Sequence, residues 1–506
     1  MKPLLLACLL VGAALLRAEA ADKTFSYHLN AAPESLDPAK CNNVRCQRVM
    51  WPIYEPLVNL SKDSRTVVPG LAETWDVSRD KLTYTFHLRR GVTFHDGARF
   101  NAGAAKVNLE RNFSPGSRFY TAEPANVREK TLAGVIKDVT VHDDYTLVVT
   151  LKAPKVHLLT LAPMVSPEAL AKYGPKVGEH PVGTGPFKFA RWSPDEIRLA
   201  ANPDYWGGRP KLAGIAYRIV PQSEKMTQEF LVGRMDFIPD VEPVSLERIG
   251  ANPATKLVRV PTLSLYYLGF RLDRKPFDDI RVRQAFTRAI DVERAILFTS
   301  RGMGQPAFGP IPPGAEAHDP SLRKPHYNPD SARQLLRAVG QSDLRVSLLF
   351  NEGWGFFVEL AQAFRADLAK VGVTVELVPV QSYRDLVAEV RRGRGDLFIY
   401  SWFSNFTDPE IFLGPLFQSG SVDNLTRYAS PRFDAALEHA RSPQLEPAAR
   451  TELYRRAQQI AVDDAPMIFL FHEVRVSGYN ARVIGLDLNV HSLPTDRFAQ
   501  TDIRSE

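Results

Sequence analysis

Cysteine is scarce: three residues in 506, at positions 8, 41 and 46, too few for a scaffold held together by disulfides. After the first twenty residues no run of eighteen apolar residues occurs. This excludes a helix able to cross a hydrocarbon core about 30 Å thick. The familiar catalytic spacings are missing as well, with no G-x-S-x-G elbow, no H-E-x-x-H pair and no G-x-x-x-x-G-K-[ST] loop. Basic residues are scattered, and their densest cluster, Arg391-Arg392-Gly393-Arg394, is short. A nucleic-acid binder needs a concentrated basic face, so no nucleic-acid partner is expected. Neither an internal repeat nor a low-complexity linker stands out. These absences point away from an enzyme.

The N-terminus carries the first positive signal. Lys2 precedes an apolar run from Leu4 to Leu16, followed by Arg17 and the small-residue stretch Ala18-Glu19-Ala20-Ala21. A charged start, a short apolar core and an A-x-A site make a secretory signal over residues 1–20, with cleavage after Ala20. A lipobox at Leu5-Leu6-Ala7-Cys8 has too few apolar residues before its cysteine. Export to the periplasm leaves Cys41 and Cys46, a pair that an oxidising compartment tends to join. So short a loop would remove only about 2 kcal/mol of unfolded-chain entropy, so the bond would mainly stiffen the loop. Two free buried thiols are the alternative. Zinc is not expected, because no second Cys or His pair stands nearby to complete four ligands. No metal and no cofactor are assigned.

Composition is that of a soluble globular chain, 44% hydrophobic and 24% charged with a formal charge of +6. The length suits two or three domains. Leu82, Tyr84, Phe86 and Leu88 alternate with polar residues, the period of a half-buried strand. Val139 to Leu151 reads as a hairpin turning at His142-Asp143-Asp144. Asp278-Asp279 caps a helix whose Val282, Phe286, Ala289 and Ile290 recur at helical spacing. Leu360, Ala363, Phe364 and Leu368 form another helical face, stopped near Gly372. A strand from Val373 to Val380 follows, and Asp396 to Trp402 reads as a buried strand. Phe94-His95-Asp96-Gly97 suggests a His-Asp dyad, but neighbours on an extended segment point to opposite faces and Asp-Gly favours a turn. Gly183-Thr184-Gly185-Pro186 is read as a tight connection between domains.

Longer segments carry a resemblance. Ser35-Leu36-Asp37-Pro38, Ile53-Tyr54-Glu55-Pro56-Leu57-Val58, Val68 to Trp75, Tyr84 to Gly97, Val182 to Phe187, Asn202 to Gly208, Phe277 to Phe286 and Ala289-Ile290-Asp291 stand in order along the chain. In these motifs the chain resembles the large extracytoplasmic solute-binding proteins of ABC importers for peptides, nickel and related solutes, solute-binding family 5. The resemblance implies an α/β, two-lobed periplasmic-binding-protein clamshell with an extra domain. Lobe I would comprise 21–60, 182–268 and 473–506, with 61–181 as its additional domain, and lobe II would be 269–472. It further implies capture of a peptide or peptide-like solute between the lobes, delivery to permease subunits in the inner membrane, and a monomer. A chelated metal or another organic solute is the alternative within this class. A chemoreceptor or partner protein that feeds no permease is the alternative outside it.

The resemblance also assigns ligand-facing residues. Peptide binders of this type hold the ligand ammonium with an aspartate in the loop matching Trp402-Phe403-Ser404-Asn405-Phe406-Thr407-Asp408, where Asn405 stands instead. Asp408 is either a relocated counter-charge or part of an Asp-Pro turn. The first-lobe glutamate of oligopeptide binders matches Asn42, beside Asn43 and Val44 and between the two cysteines. Tyr266 and Tyr267 are expected near the ligand. The region where dipeptide binders carry an arginine reads Asn351-Glu352-Gly353-Trp354. Glu352 and Trp354 there are either a counter-charge and a stacking platform or plain surface-loop residues. With acids replaced at two positions, the expected site is less anionic than in those relatives.

Overall fold

The computed structural model describes residues 23–41, 43–120, 132–153, 155–300, 302–323, 325–353, 355–404, 406–442, 444–489 and 493–504. The signal segment, Asn42, Trp354 and Asn405 lie outside the described residues. The chain divides into two compact units. The first runs to Val258 and resumes at Val476, and the second is Arg259–Arg475. The sequence reading placed these boundaries at 268/269 and 472/473. Chain passes from one unit to the other after Val258 and, inside the strand Met467–Asn480, after Arg475.

In the first unit, Thr24–Leu29 pairs in parallel with Gly214–Ile219, which continues antiparallel to Glu196–Ala201 and then Phe187–Trp192. Phe25, Tyr27, Tyr217, Phe237 and Phe498 form its aromatic core. A separate four-stranded sheet has the order Ala72–Val77, Thr83–Leu88, Thr146–Leu151, Ile136–Asp143. Tyr84, Phe86 and Leu88 are buried there, as their alternation predicts. The expected hairpin is present, but its turn falls at Asp144-Tyr145, one residue late. Asp143 explains the shift, because its carboxylate accepts the Tyr145 N–H at 2.8 Å and closes the turn.

The recognisable motifs converge on one buried carboxylate of this unit. Glu55, 2% exposed, accepts from the Thr184 hydroxyl at 2.8 Å, the Tyr205 hydroxyl at 2.8 Å and the Trp206 indole at 2.9 Å. Burial pushes its carboxyl up, against the opposing pull of Arg497 and these three donors. Gly183 and Gly185 are required by close approach, since a Cβ on Gly183 would lie 2.0 Å from the Ile53 carbonyl oxygen and one on Gly185 2.4 Å from that of Pro52. His95 completes the arrangement. It accepts the Gly183 N–H at Nδ1 (3.3 Å), and its Nε2 donates to the Gly185 carbonyl (2.9 Å). Acceptance at Nδ1 needs the neutral ring, and burial lowers its pKa to about 4. Asp96 turns away to the Ser166 hydroxyl at 2.5 Å. His95 and Asp96 therefore form no dyad, and Gly97 closes the turn at φ +90°.

The second unit is built on strands in the order Thr374–Val380, Arg345–Asn351, Leu397–Phe403, Ser264–Phe270 and Met467–Asn480. The first three are parallel; Ser264–Phe270 runs antiparallel to Leu397–Phe403. One face buries Leu268, Phe270, Leu397 and Ile399 against the helices Ile280–Ala289 and Gly355–Ala369. Asp279 caps the first of these helices, accepting the Arg281 N–H at 2.8 Å.

Candidate functional site

Parallel strands bring their carboxyl ends to one edge, which is where open α/β sheets present ligand sites. At that edge of the second unit Arg345–Asn351, Thr374–Val380 and Leu397–Phe403 end, and the helices Gly355–Ala369 and Tyr383–Arg391 begin. Phe403 is the last residue of its strand and is 49% exposed, an unusual state for a phenyl ring. Its edge meets Tyr266 at 5.7 Å and 84°. Tyr266 in turn is buried, stacked on Phe471 at 4.3 Å and 11° and flanked by Phe356 and Phe357. One solvent-facing ring thus stands on a fixed bed of aromatic rings. Tyr383 shares a hydrogen bond with the Ser401 hydroxyl at 2.9 Å. The Ser404 hydroxyl donates to the Phe406 carbonyl at 2.6 Å and shapes the loop.

Two charged residues here were missed from sequence. Glu473 lies 3.7 Å from Arg475, both partly exposed on Met467–Asn480. Burial and the Glu473 charge push the Tyr266 phenol well above its usual range. The signal was present in the run Phe469-Leu470-Phe471-His472-Glu473-Val474-Arg475-Val476, where charges interrupt an apolar strand.

Strand geometry separates residues that the sequence grouped. Phe403 and Tyr266 share one face through the pairs Ser264↔Phe403 and Tyr266↔Ser401, whereas Leu265↔Trp402 and Tyr267↔Tyr400 occupy the other. Trp402 donates its indole N–H to the Ile411 carbonyl at 2.9 Å. Tyr267 is 1% exposed, edge-on to Phe398 and Tyr400. Phe406 is buried too. Asp408 accepts the Glu410 N–H at 2.9 Å and pairs with Arg450 at 3.2 Å. Arg450 also reaches Glu316 at 3.6 Å. Asp408 is thus neutralised within its own unit. Glu352 accepts from the Gln381 amide across the strand ends.

The loop in the first unit has a different electrostatic character. Cys41 and Cys46 are joined, their Cα atoms 6.1 Å apart. Asn43 caps the helix Val44–Met50, its side-chain oxygen accepting the Cys46 N–H at 3.1 Å. Its amide donates to Glu34 at 2.6 Å, and Arg45 stands 3.9 Å from the same carboxylate. Val44 is exposed. Glu34 was missed because it precedes the loop, yet it supplies the carboxylate that the loop's own residues lack. Behind it, buried Arg48 pairs with exposed Asp240 at 2.7 Å.

Residues 66–424 match the family model described as bacterial extracellular solute-binding proteins, family 5 Middle. The chain is 32% identical over 469 residues to a glutathione-binding protein, GsiB, of Pectobacterium atrosepticum, covering 89% of each. Among solved structures it is similar to HbpA2 from Haemophilus parasuis, with TM-score 0.85 at 26% identity, covering 95% of this chain and 100% of that one. It is similar also to the ABC transporter-associated periplasmic binding protein DppA of Helicobacter pylori in complex with the peptide STSA. There the TM-score is 0.79 at 25% identity, covering 95% and 98% of the two chains.

Proposed function

The chain belongs to the bacterial extracellular solute-binding proteins of family 5 and has their two-lobed α/β fold, and on that premise we propose that it captures a peptide or peptide-like solute in the periplasm. Delivery is to the permease of an ABC importer, after removal of residues 1–20. The observation that carries the reading is Phe403, an exposed ring at the carboxyl edge of the second-unit sheet, held by the buried Tyr266–Phe471 stack. A flat apolar surface on a rigid bed suits the peptide planes and side chains of a short peptide at low entropic cost. Trp402, on the other face and tied to Ile411, positions the loop that follows Phe403. Asn43 and Val44 of the first unit, with Ser404 of the second, are the further proposed contacts.

Mass spectrometry of solute released from the purified chain, followed by calorimetry with that solute, tests the reading. Phe403→Ala should weaken binding at least tenfold, about 1.4 kcal/mol, with an unchanged melting temperature. An unaltered affinity, or a released solute without peptide-like bonds, would overturn it.

A further inference from the structure

We propose that Glu34, Cys41 and Cys46 form, once the disulfide is reduced, a three-ligand site for a thiophilic divalent cation of the zinc type. One oxygen of Glu34 lies 3.3 Å from the Cys41 sulfur and 3.4 Å from the Cys46 sulfur. In a tetrahedral zinc site, with Zn–S about 2.3 Å and Zn–O about 2.0–2.2 Å, adjacent ligand atoms stand about 3.5 Å apart. The oxygen already occupies that position relative to both sulfurs, so only the sulfurs must part.

The surroundings fit a built site. The Asn43 amide donates to the same oxygen at 2.6 Å, and the Asn43 side-chain oxygen is itself held by the Cys46 N–H at 3.1 Å. The carboxylate is thereby oriented by the loop that carries the thiols, the role outer hydrogen bonds play around metal ligands. Both cysteines are buried, at 5% and 0% exposure, while Glu34 is 60% exposed. Solvent can therefore supply a fourth ligand from the Glu34 side. A disulfide sulfur has no proton to give, so the carboxylate gains no hydrogen bond from either sulfur in the oxidised chain. Zinc is not expected from sequence for want of a second Cys or His pair; the third ligand comes from outside the loop.

The chemistry balances as a thiol–disulfide exchange followed by ligation. A dithiol reductant gives two electrons and two protons to the Cys41–Cys46 bond and becomes a disulfide itself. The two thiols then lose their protons to solvent as the cation binds their sulfurs and the Glu34 oxygen. Cation binding and disulfide formation exclude each other. The net charge is the same in both states, because the two thiolates cancel the two charges of the cation, but the Glu34 carboxylate is free to solvent in one and ligated in the other. None of this depends on the solute reading.

The test uses the full mature chain, reduced with a phosphine and titrated with Co2+ and then Zn2+ while sulfur-to-metal absorption is followed. One equivalent should bind per chain, with none bound by the oxidised wild type, which is the folded control of identical sequence. Glu34→Gln should weaken binding at least tenfold with the thiolate band retained, and Cys41→Ser should abolish the band. Zinc at a hundred times its dissociation constant should shift the dithiol–disulfide equilibrium roughly hundredfold toward the reduced chain. A reduced chain without the band, two chains per ion, or an unchanged affinity in Glu34→Gln overturns the proposal.

Discussion

The loops at Cys41–Cys46 and Trp402–Asp408 each carry a charge that a residue from outside the loop balances. The first contains no acid, yet Glu34 folds onto it and hydrogen-bonds Asn43 at 2.6 Å. The second ends in an acid, yet Asp408 is paired with Arg450 at 3.2 Å. Local composition would make the first cationic, through Arg45, and the second anionic, and Glu34 at 3.9 Å from Arg45 and Arg450 on Asp408 bring each toward neutrality. The charge a site offers is set by the balance among side chains brought together from distant parts of the chain, not by the residues of one loop. The expectation of a less anionic site rests on Asn42 and Asn405 standing where related peptide binders carry acids, and Glu34 lies outside both of those positions.

The largest expected effect concerns a feature on which the two units agree. Each buries a neutral histidine against a carbonyl, His95 on Gly185 and His472 on Ser264, and burial lowers both to about 4. Unfolded, each would titrate near 6.5, so between these values the unfolded chain binds more protons. Stability is therefore full above about pH 6.5 and is lost as pH falls through about 4, by up to about 3 kcal/mol per histidine. Urea denaturation at pH 7 and pH 4.5 should show the loss in the wild type. His95→Gln, which keeps a donor and an acceptor, should remove a large part of it. Equal pH sensitivity in the variant would mean that carboxylates, not this histidine, set the acid limit.

Next in size is the Asp408 pair. Arg450→Met leaves a partly buried carboxylate without its cation and should cost about 2 kcal/mol, below the range for a fully buried pair because both side chains are about one-third exposed. Adding Asp408→Asn should recover most of that loss in a double-mutant cycle. Solute affinity should stay within twofold throughout. A tenfold loss from Asp408→Asn alone would restore Asp408 as a ligand counter-charge and remove the parallel between the loops.

How far the sequence revealed these features depended on range. Asp279 as a helix cap, the alternation through Leu88 and the strand before Phe403 are local, and each is present. Trp402 and Phe403 on opposite faces were also legible, since a strand has period two; naming consecutive residues as contacts overlooked it. Glu55 as the meeting point of three motifs was not legible, because Thr184, Tyr205 and Trp206 lie more than a hundred residues away in sequence. Arg450 on Asp408 is a contact across 42 residues, and no pattern within either segment announces it. Glu34 lies only nine residues before Asn43, but its approach depends on how the chain turns after the first strand.

The smallest expected effect is the most discriminating for the first loop. Glu34 is 60% exposed, so Glu34→Gln in the oxidised chain should change stability by no more than about 0.5 kcal/mol. If its charge acts on a solute, it acts through water. Exposed ion pairs are worth about 0.2–1 kcal/mol, so the expected loss of affinity is about fivefold at most for a peptide with a free amino terminus. The same peptide with an acetylated terminus has no positive charge there and should bind variant and wild type alike. Salt sharpens the comparison, because the Debye length falls from about 10 Å at 0.1 M to about 3 Å at 1 M. The free-amine difference should therefore shrink at high salt while the acetylated pair stays level. Calorimetry of both peptides against both chains at the two salt concentrations reads all of this. An equal loss for free and acetylated peptides would show that Glu34 acts through the shape of the loop, by way of Asn43, and not through its charge.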